Sequence, residues 1–173
     1  FLHFAGHSSE LVRTSTSSNE WRLRGNDPGW RILSFNSGGG NGDNDGEYWM
    51  IITNEGVRYT FGNGTEPTSN ALTRSAWTIP VMGNNSGEPC YNAVKSLAIC
   101  RQAYRWNLDR VEDTNQNVSS YFYTTETNKF AQMNSATTVT SYDRAGYLDH
   151  IDYGKRTGAE SSIAPSRVLF SSV

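Results

Sequence analysis

Three carboxylates at alternate positions, Asp43, Asp45 and Glu47, close the run Asn41-Gly42-Asp43-Asn44-Asp45-Gly46-Glu47. Oxygen ligands at alternate positions around a sharply turning Gly are how a calcium loop begins, and an EF-hand then needs a bidentate Glu at the twelfth position. That position is Ile52, so the EF-hand reading fails. A calcium turn built from Asp43, Asp45 and Glu47 stays open beside the favoured reading, a solvated Gly/Asn/Asp loop. Calcium is the one cofactor the sequence raises.

His3, His7 and Glu10 have a spacing that one helical face could use for a metal. His3 lacks the adjacent Glu that metalloproteases use as base, and Gly6 weakens a helix, so exposed histidines are expected. His150 stands between Asp149 and Asp152. Strand alternation would turn Asp149 away from it, so no His–Asp relay is expected. Asp109, Glu112, Asp113, Glu126, Asp143, Asp149 and Asp152 supply many carboxylates, but spacing along the chain sets no pair at the separation glycoside hydrolysis requires. There is no Gly-x-Ser-x-Gly elbow, and neither cysteine has a His partner for nucleophilic work. The expectation is a protein that is not an enzyme.

Cys90 and Cys100 are ten residues apart with no His nearby, which suits neither a four-ligand zinc site nor a CxxC redox pair. A disulfide closing a small loop is expected, in preference to two buried free thiols, and points to a secreted or cell-surface protein. An unbroken helix over 91–99 would carry the sulfurs about 15 Å apart. The bridge therefore needs this stretch to bend or to start its helix late.

The elements that must position these residues read as strands. Tyr48–Ile52 and Val57–Phe61 flank Thr53-Asn54-Glu55-Gly56, and Trp49, Ile51, Val57, Tyr59 and Phe61 would share faces across a hairpin. A second hairpin runs from Trp106 to Tyr123 around the polar turn 112–117. Further strands are expected around Trp21–Leu23, Trp30–Phe35, Tyr147–Tyr153 and Arg167–Phe170. Gly38–Gly46 and Gly62–Thr73 read as loops, as does Thr124–Thr140, with only Phe130 and Met133 to bury. One short helix is expected around 92–104, where Ala93, Leu97, Cys100 or Arg101, and Tyr104 recur at helical spacing after Pro89. The fold class is thus mainly β: antiparallel hairpins or a meander forming a sheet, sandwich or shell segment.

Composition agrees. The chain has 173 residues, about one domain. Fifteen Lys and Arg against seventeen Asp and Glu give a net charge of −2, which argues against nucleic-acid coating and electrostatic membrane binding. No apolar run approaches the ~20 residues that span a bilayer as a helix. Charged residues are 18% and aromatic residues 12%, so Ser, Thr, Asn and Gly cover the surface while rings fill the core, unlike a disordered chain. The start at Phe1, without a basic segment, reads as an excised or mature piece. Trp21, Trp30, Trp49, Trp77 and Trp106 are read mainly as core; exposed, they would stack on sugar faces, which makes a carbohydrate-binding module the second functional reading.

A resemblance follows from these motifs. Tyr142-Asp143-Arg144-Ala145-Gly146, followed by Leu148 and Ile151, resembles the tyrosine–aspartate repeat of the RHS/YD-repeat family of large secreted proteins. Asn26-Asp27-Pro28-Gly29-Trp30, Gly46-Glu47-Tyr48-Trp49, Trp77-Thr78-Ile79-Pro80-Val81 and Ala103-Tyr104-Arg105-Trp106-Asn107 are similar to the region ahead of the repeats in actinobacterial members. The chain lacks a run of regular repeats. The resemblance implies a strand, a turn ending in Gly146 and a second strand, within a hollow β-shell of the kind found in teneurins and insecticidal toxin complexes. It implies a structural scaffold around a toxin or other payload. Its partners would be flanking domains of the same polypeptide, other copies through strand edges, or a glycan.

Overall fold

The structure is a computed structural model that describes residues 1–38, 40–132 and 137–171. Met133, and Gly39 of the first glycine-rich loop, lie outside the described residues.

Among the described residues the chain forms thirteen strands: β1 Leu2–Phe4, β2 His7–Ser9, β3 Leu11–Arg13, β4 Glu20–Leu23, β5 Arg31–Asn36, β6 Glu47–Ile52, β7 Arg58–Phe61, β8 Ala76–Met82, β9 Ile99–Trp106, β10 Leu108–Glu112, β11 Asn117–Ala131, β12 Val139–Arg156 and β13 Ser166–Leu169. Nine make one antiparallel sheet in the order β13-β12-β11-β10-β7-β6-β5-β4-β3. This is a meander in near chain order, interrupted once. Between β7 and β10 the chain leaves to form the separate ribbon β8–β9, and β1–β2 is a second separate hairpin.

The central hairpin is the one the alternation predicts. Trp49 faces Phe61 and Ile51 faces Tyr59 in register, with Gly56 at φ 82° in the turn. Ile51 and Phe61 join Leu23 and Ile32 in an apolar cluster on one sheet face, packed by Trp21, Trp30, Trp49 and Trp106. The β1–β2 hairpin covers part of this face, with Phe4 edge-on to Trp30 and Tyr59 at 5.0 and 4.7 Å between ring centres. Aromatic edge contacts of this kind add about 0.5–1.5 kcal/mol beyond the area they bury.

The expected helix at 92–104 is not there. Asn92 turns its side chain back onto the Val94 N–H, a single 3-10 turn spans Lys95–Leu97, and Ile99–Trp106 is strand β9 paired with β8. The helical spacing loses because a two-stranded ladder from Ala76↔Trp106 to Met82↔Ile99 satisfies the same backbone groups. Thr124–Ala131 and Val139–Thr140, read as loop, instead extend the β11–β12 hairpin. Tyr142–Gly146 also departs from expectation, lying inside continuous strand β12 with no turn at Gly146.

β12 contains three extra residues relative to β11. The register skips Arg144, Asp149 and Gly154. Such bulges re-aim side chains that alternation would send to the other face. β10 does the same against β7, skipping Asp109.

Candidate functional site

These bulges build the polar interior. Asp152 lies opposite Ser120 and Lys155 opposite Val118, and positions 118 and 120 share a face. Three residues apart in a regular strand, Asp152 and Lys155 would face opposite sides; the extra Gly154, at φ 83°, brings them together. Both are buried, with Glu66, Ser120 and Glu160.

Lys155 Nζ donates to Glu66 Oε1 and Oε2 at 3.0 and 3.2 Å and to the Glu160 carbonyl at 2.9 Å, with Asp152 Oδ2 at 3.8 Å. Glu66 also accepts from Ser120 Oγ at 2.6 Å and Ser69 Oγ at 2.7 Å. The Glu160 carboxylate accepts from Arg110 at 2.8 Å, and Arg110 reaches Glu112 at 2.6 Å. Arg167 clasps Asp152 with two nitrogens. This clasp, with the positive charge of Lys155, holds the Asp152 carboxyl below its ordinary range despite burial. Burial pushes Glu160 up, but its own backbone N–H and the Arg110 bond outweigh that and leave it lowered.

The Lys155 amine is directed at carboxylate and carbonyl oxygens on every contact it makes. What the network does is cross-link. It ties the loop carrying Glu66 and Ser69, strands β10, β11 and β12, and the segment carrying Glu160 into one unit.

A second clasp holds the β8–β9 ribbon to β12. Asp143 Oδ2 accepts from the Thr78 N–H at 2.8 Å, Thr78 Oγ1 at 3.0 Å and Arg101 at 3.2 Å. Tyr104, the extra residue in β9, donates its hydroxyl to the Asp143 carbonyl at 2.9 Å. A Cβ on Gly146 would lie 2.8 Å from the Trp77 ring and 2.7 Å from the Thr124 carbonyl, so only Gly lets the two layers approach. The Tyr-Asp-Arg-Ala-Gly run thus pins layers together.

Asp109 sits on the wall of a small cavity. Its Oδ2 accepts from Ser75 Oγ at 2.8 Å and from the Gly64 N–H at 3.1 Å, and burial pushes its carboxyl up to about 7 against those bonds.

Cys90 and Cys100 are bridged, with Cα atoms 5.2 Å apart. The bend the bridge required is the non-helical segment before β9. Disulfides persist in oxidising, extracytoplasmic compartments.

In the glycine-rich loop, Asp43 caps backbone. Its Oδ1 accepts from the Ala103 N–H at 2.6 Å and its Oδ2 from the Asp45 and Glu47 N–H groups. Burial raises the Asp43 carboxyl, but a hydrogen bond with Asp45 and these backbone donors bring it below its ordinary value; the same Asp43–Asp45 bond raises Asp45. Desolvation, then the two aspartates, raises Glu47. Among the described residues no three His, Cys, Asp or Glu side chains converge as a metal site. The loop is anchored by buried Asn41, which donates to the carbonyls of Glu47 and Gly62, both at 2.8 Å.

His3 and His7 lie on the β1–β2 hairpin, His3 exposed and His7 edge-on to Trp30, with Glu10 exposed beyond it. His150 corrects the alternation argument: its Nδ1 is 2.6 Å from Asp149 Oδ2. Asp149 is the bulged residue, so it and His150 turn to the same side. The His150 ring also stacks on Phe122 at 4.3 Å. Trp77 is buried and the other four tryptophans are half-buried, none standing free on the surface.

Glu66, Lys155, Glu160 and Arg110 were not found from the sequence. A signal did exist for Asp109 and Asp149: Asp is depleted from strand interiors, and Leu108-Asp109-Arg110 and Leu148-Asp149-His150 place it inside strand runs. Glu66 and Glu160 come from irregular segments, where spacing carries no such signal.

No protein-family model matches the chain, and no curated protein matches it. Among solved structures the chain is similar to the crystal structure of TcdB2-TccC3, at a TM-score of 0.43 and 14% identity. That match covers 95% of this chain and 7% of the other, and at this level it carries no inference about function. Among the described residues no helix is long and apolar enough to cross a membrane.

Proposed function

We propose that this chain is a non-enzymatic structural module: a wall segment of a secreted, RHS-like protein, joined to flanking parts of its own polypeptide and able to associate through its strand edges. One observation carries the reading. Nine strands lie side by side in near chain order, and the sheet ends in two strands, β3 and β13, that each have a single neighbour. An open edge presents unpaired backbone donors and acceptors for another strand. At β13 the edge is also apolar, with Val168, Leu169 and the following Phe170 exposed. The side chains best suited to chemistry are used as cross-links instead: Lys155 by Glu66 and Glu160, and Asp152 by Arg167. Rigidity across layers is what a wall needs.

The test is association through β13. The Phe170 N–H bonds the Asp149 carbonyl, so in this register the Leu169 N–H points outward. Light scattering should show concentration-dependent assembly, which Leu169→Pro should abolish by removing that edge N–H while far-UV circular dichroism stays unchanged. Assembly that survives that change, or a chain that stays monomeric at high concentration, would overturn the reading. The glycan alternative would need a tryptophan face open to solvent; Trp77 is buried and the other four are half-buried.

A further inference from the structure

A cavity of about 160 Å³ lies beside the buried network, lined by Tyr48, Met50, Asn63, Thr65, Asp109 and Arg110 among others. Two of its wall residues carry buried polar atoms without a hydrogen-bond partner: Asp109 Oδ1 and Arg110 Nε. Asp109 is 2% exposed. Adjacent strand residues ordinarily point to opposite faces, yet both line this one cavity because Asp109 is the extra residue of the β10 bulge. Leaving a buried donor and a buried acceptor both unmet is costly, and native interiors rarely do it without a role for the group.

The chemistry of the wall narrows what fills it. The Asp109 carboxyl, pushed up to about 7 by burial, accepts as the carboxylate and also donates as the acid near neutral pH, whereas a guanidinium Nε–H only donates. The other nitrogens of Arg110 are held by Glu112 and Glu160, and Glu66 is matched by Lys155, so surrounding charge is locally compensated and favours neither a free anion nor a free cation. A hydroxyl group donates and accepts through one atom, and so can meet Asp109 and Arg110 together. Tyr48 and Met50 add C–H and ring surface of the kind that packs on the carbons of a saturated polyol. Pro67, also on the wall, is exposed and marks a side open to solvent.

We infer that this cavity is a binding site for a small, uncharged polyhydroxyl group, such as glycerol or the exposed end of a sugar, held by Asp109 and Arg110 through its hydroxyl groups. The site owes nothing to the tryptophans and stands apart from the wall reading; either can fail alone.

The test is a titration of the isotope-labelled chain by amide-correlation NMR with glycerol, methyl glucoside and, as a contrast, acetamide. Saturable shifts centred on Asn63–Thr65 and Asp109–Arg110 are expected for a polyol. Asp109→Asn should weaken them at least tenfold. Because position 109 is buried, Tyr48→Ala provides a second variant outside the ion network, and it too should weaken binding several-fold. Absence of saturable shifts with either polyol, stronger binding of acetamide, or shifts centred elsewhere would overturn the inference and leave a cavity holding ordered water only.

Discussion

Lys155 Nζ lies 3.0 Å from Glu66 Oε1, and neither side chain is more than a few per cent exposed, at 5% and 2%. A charge pair this enclosed joins a strand to a loop 89 residues earlier in the chain. Removing one partner strands the other charge in the interior, which costs about 3–5 kcal/mol, whereas replacing both with apolar groups of similar volume is often neutral. Lys155→Met and Glu66→Leu should each lower the urea midpoint strongly, and the double variant should recover most of the loss. Equal, additive losses in equilibrium unfolding would show that the two side chains act independently.

Asp109 should make stability fall as pH rises. Its carboxyl titrates near 7 in the folded chain against an ordinary 3.8. Between those values the native state holds a proton the unfolded chain has released, so each rise in pH favours unfolding, and the slope ends above about 7. At about 1.4 kcal/mol per unit the span is a few kcal/mol. Asp109→Asn removes this contribution. The stability difference between variant and parent should therefore shift in the variant's favour from pH 4.5 to 7.5, as measured by urea unfolding at both.

At low pH the Asp152–Arg167 clasp should act in the opposite direction. The Asp152 carboxyl is held below its ordinary value by Arg167, so its contribution is present above the unfolded value near 3.8 and is lost as pH falls through the lowered one. Arg167→Ala should free β13 first, since Arg167 is its charged tie to β12. Hydrogen exchange at Val168 and Phe170, whose N–H groups face β12, should rise well before that of β11 amides.

Asp143→Ala should loosen one ribbon without unfolding the sheet. It removes the acceptor of Thr78 and Arg101, and hydrogen bonds to a charged group are each worth about 1.5–3 kcal/mol. Exchange protection should fall across β8 and β9 and Trp77 fluorescence should shift, while the β6–β7 amides stay protected. Asp143→Asn, which keeps one acceptor for the Thr78 N–H, should lose less.

Reducing Cys90–Cys100 should cost about 3 kcal/mol on the loop-closure model for a bridge of this span. The thermal midpoint should drop on reduction, with a two-dalton gain in mass confirming that one bridge opened.

The hairpins were legible because period-two alternation is local. Trp49, Ile51, Tyr59 and Phe61 show their shared face within thirteen residues. The 92–104 segment misled because Leu97 and Tyr104 fit helical spacing, while the ladder to Ala76–Met82 that decides it is a distant contact. The polar interior was hidden for a related reason. A bulge is one residue of surplus in one strand, visible only against its partner, so Gly154 could not announce that Asp152 and Lys155 would meet. The bridge between Cys90 and Cys100 needed only residue types and spacing, and so it could be read.

The three surplus residues of β12 also bear on how this sheet can grow. A flat ladder with even spacing accepts any extended chain and is the template on which fibrils are laid down. The β11–β12 ladder loses step at Arg144, Asp149 and Gly154, and each missed step adds local twist. Bends of this kind beside the edge strand keep this end of the sheet from being the flat, evenly spaced template on which copies stack indiscriminately.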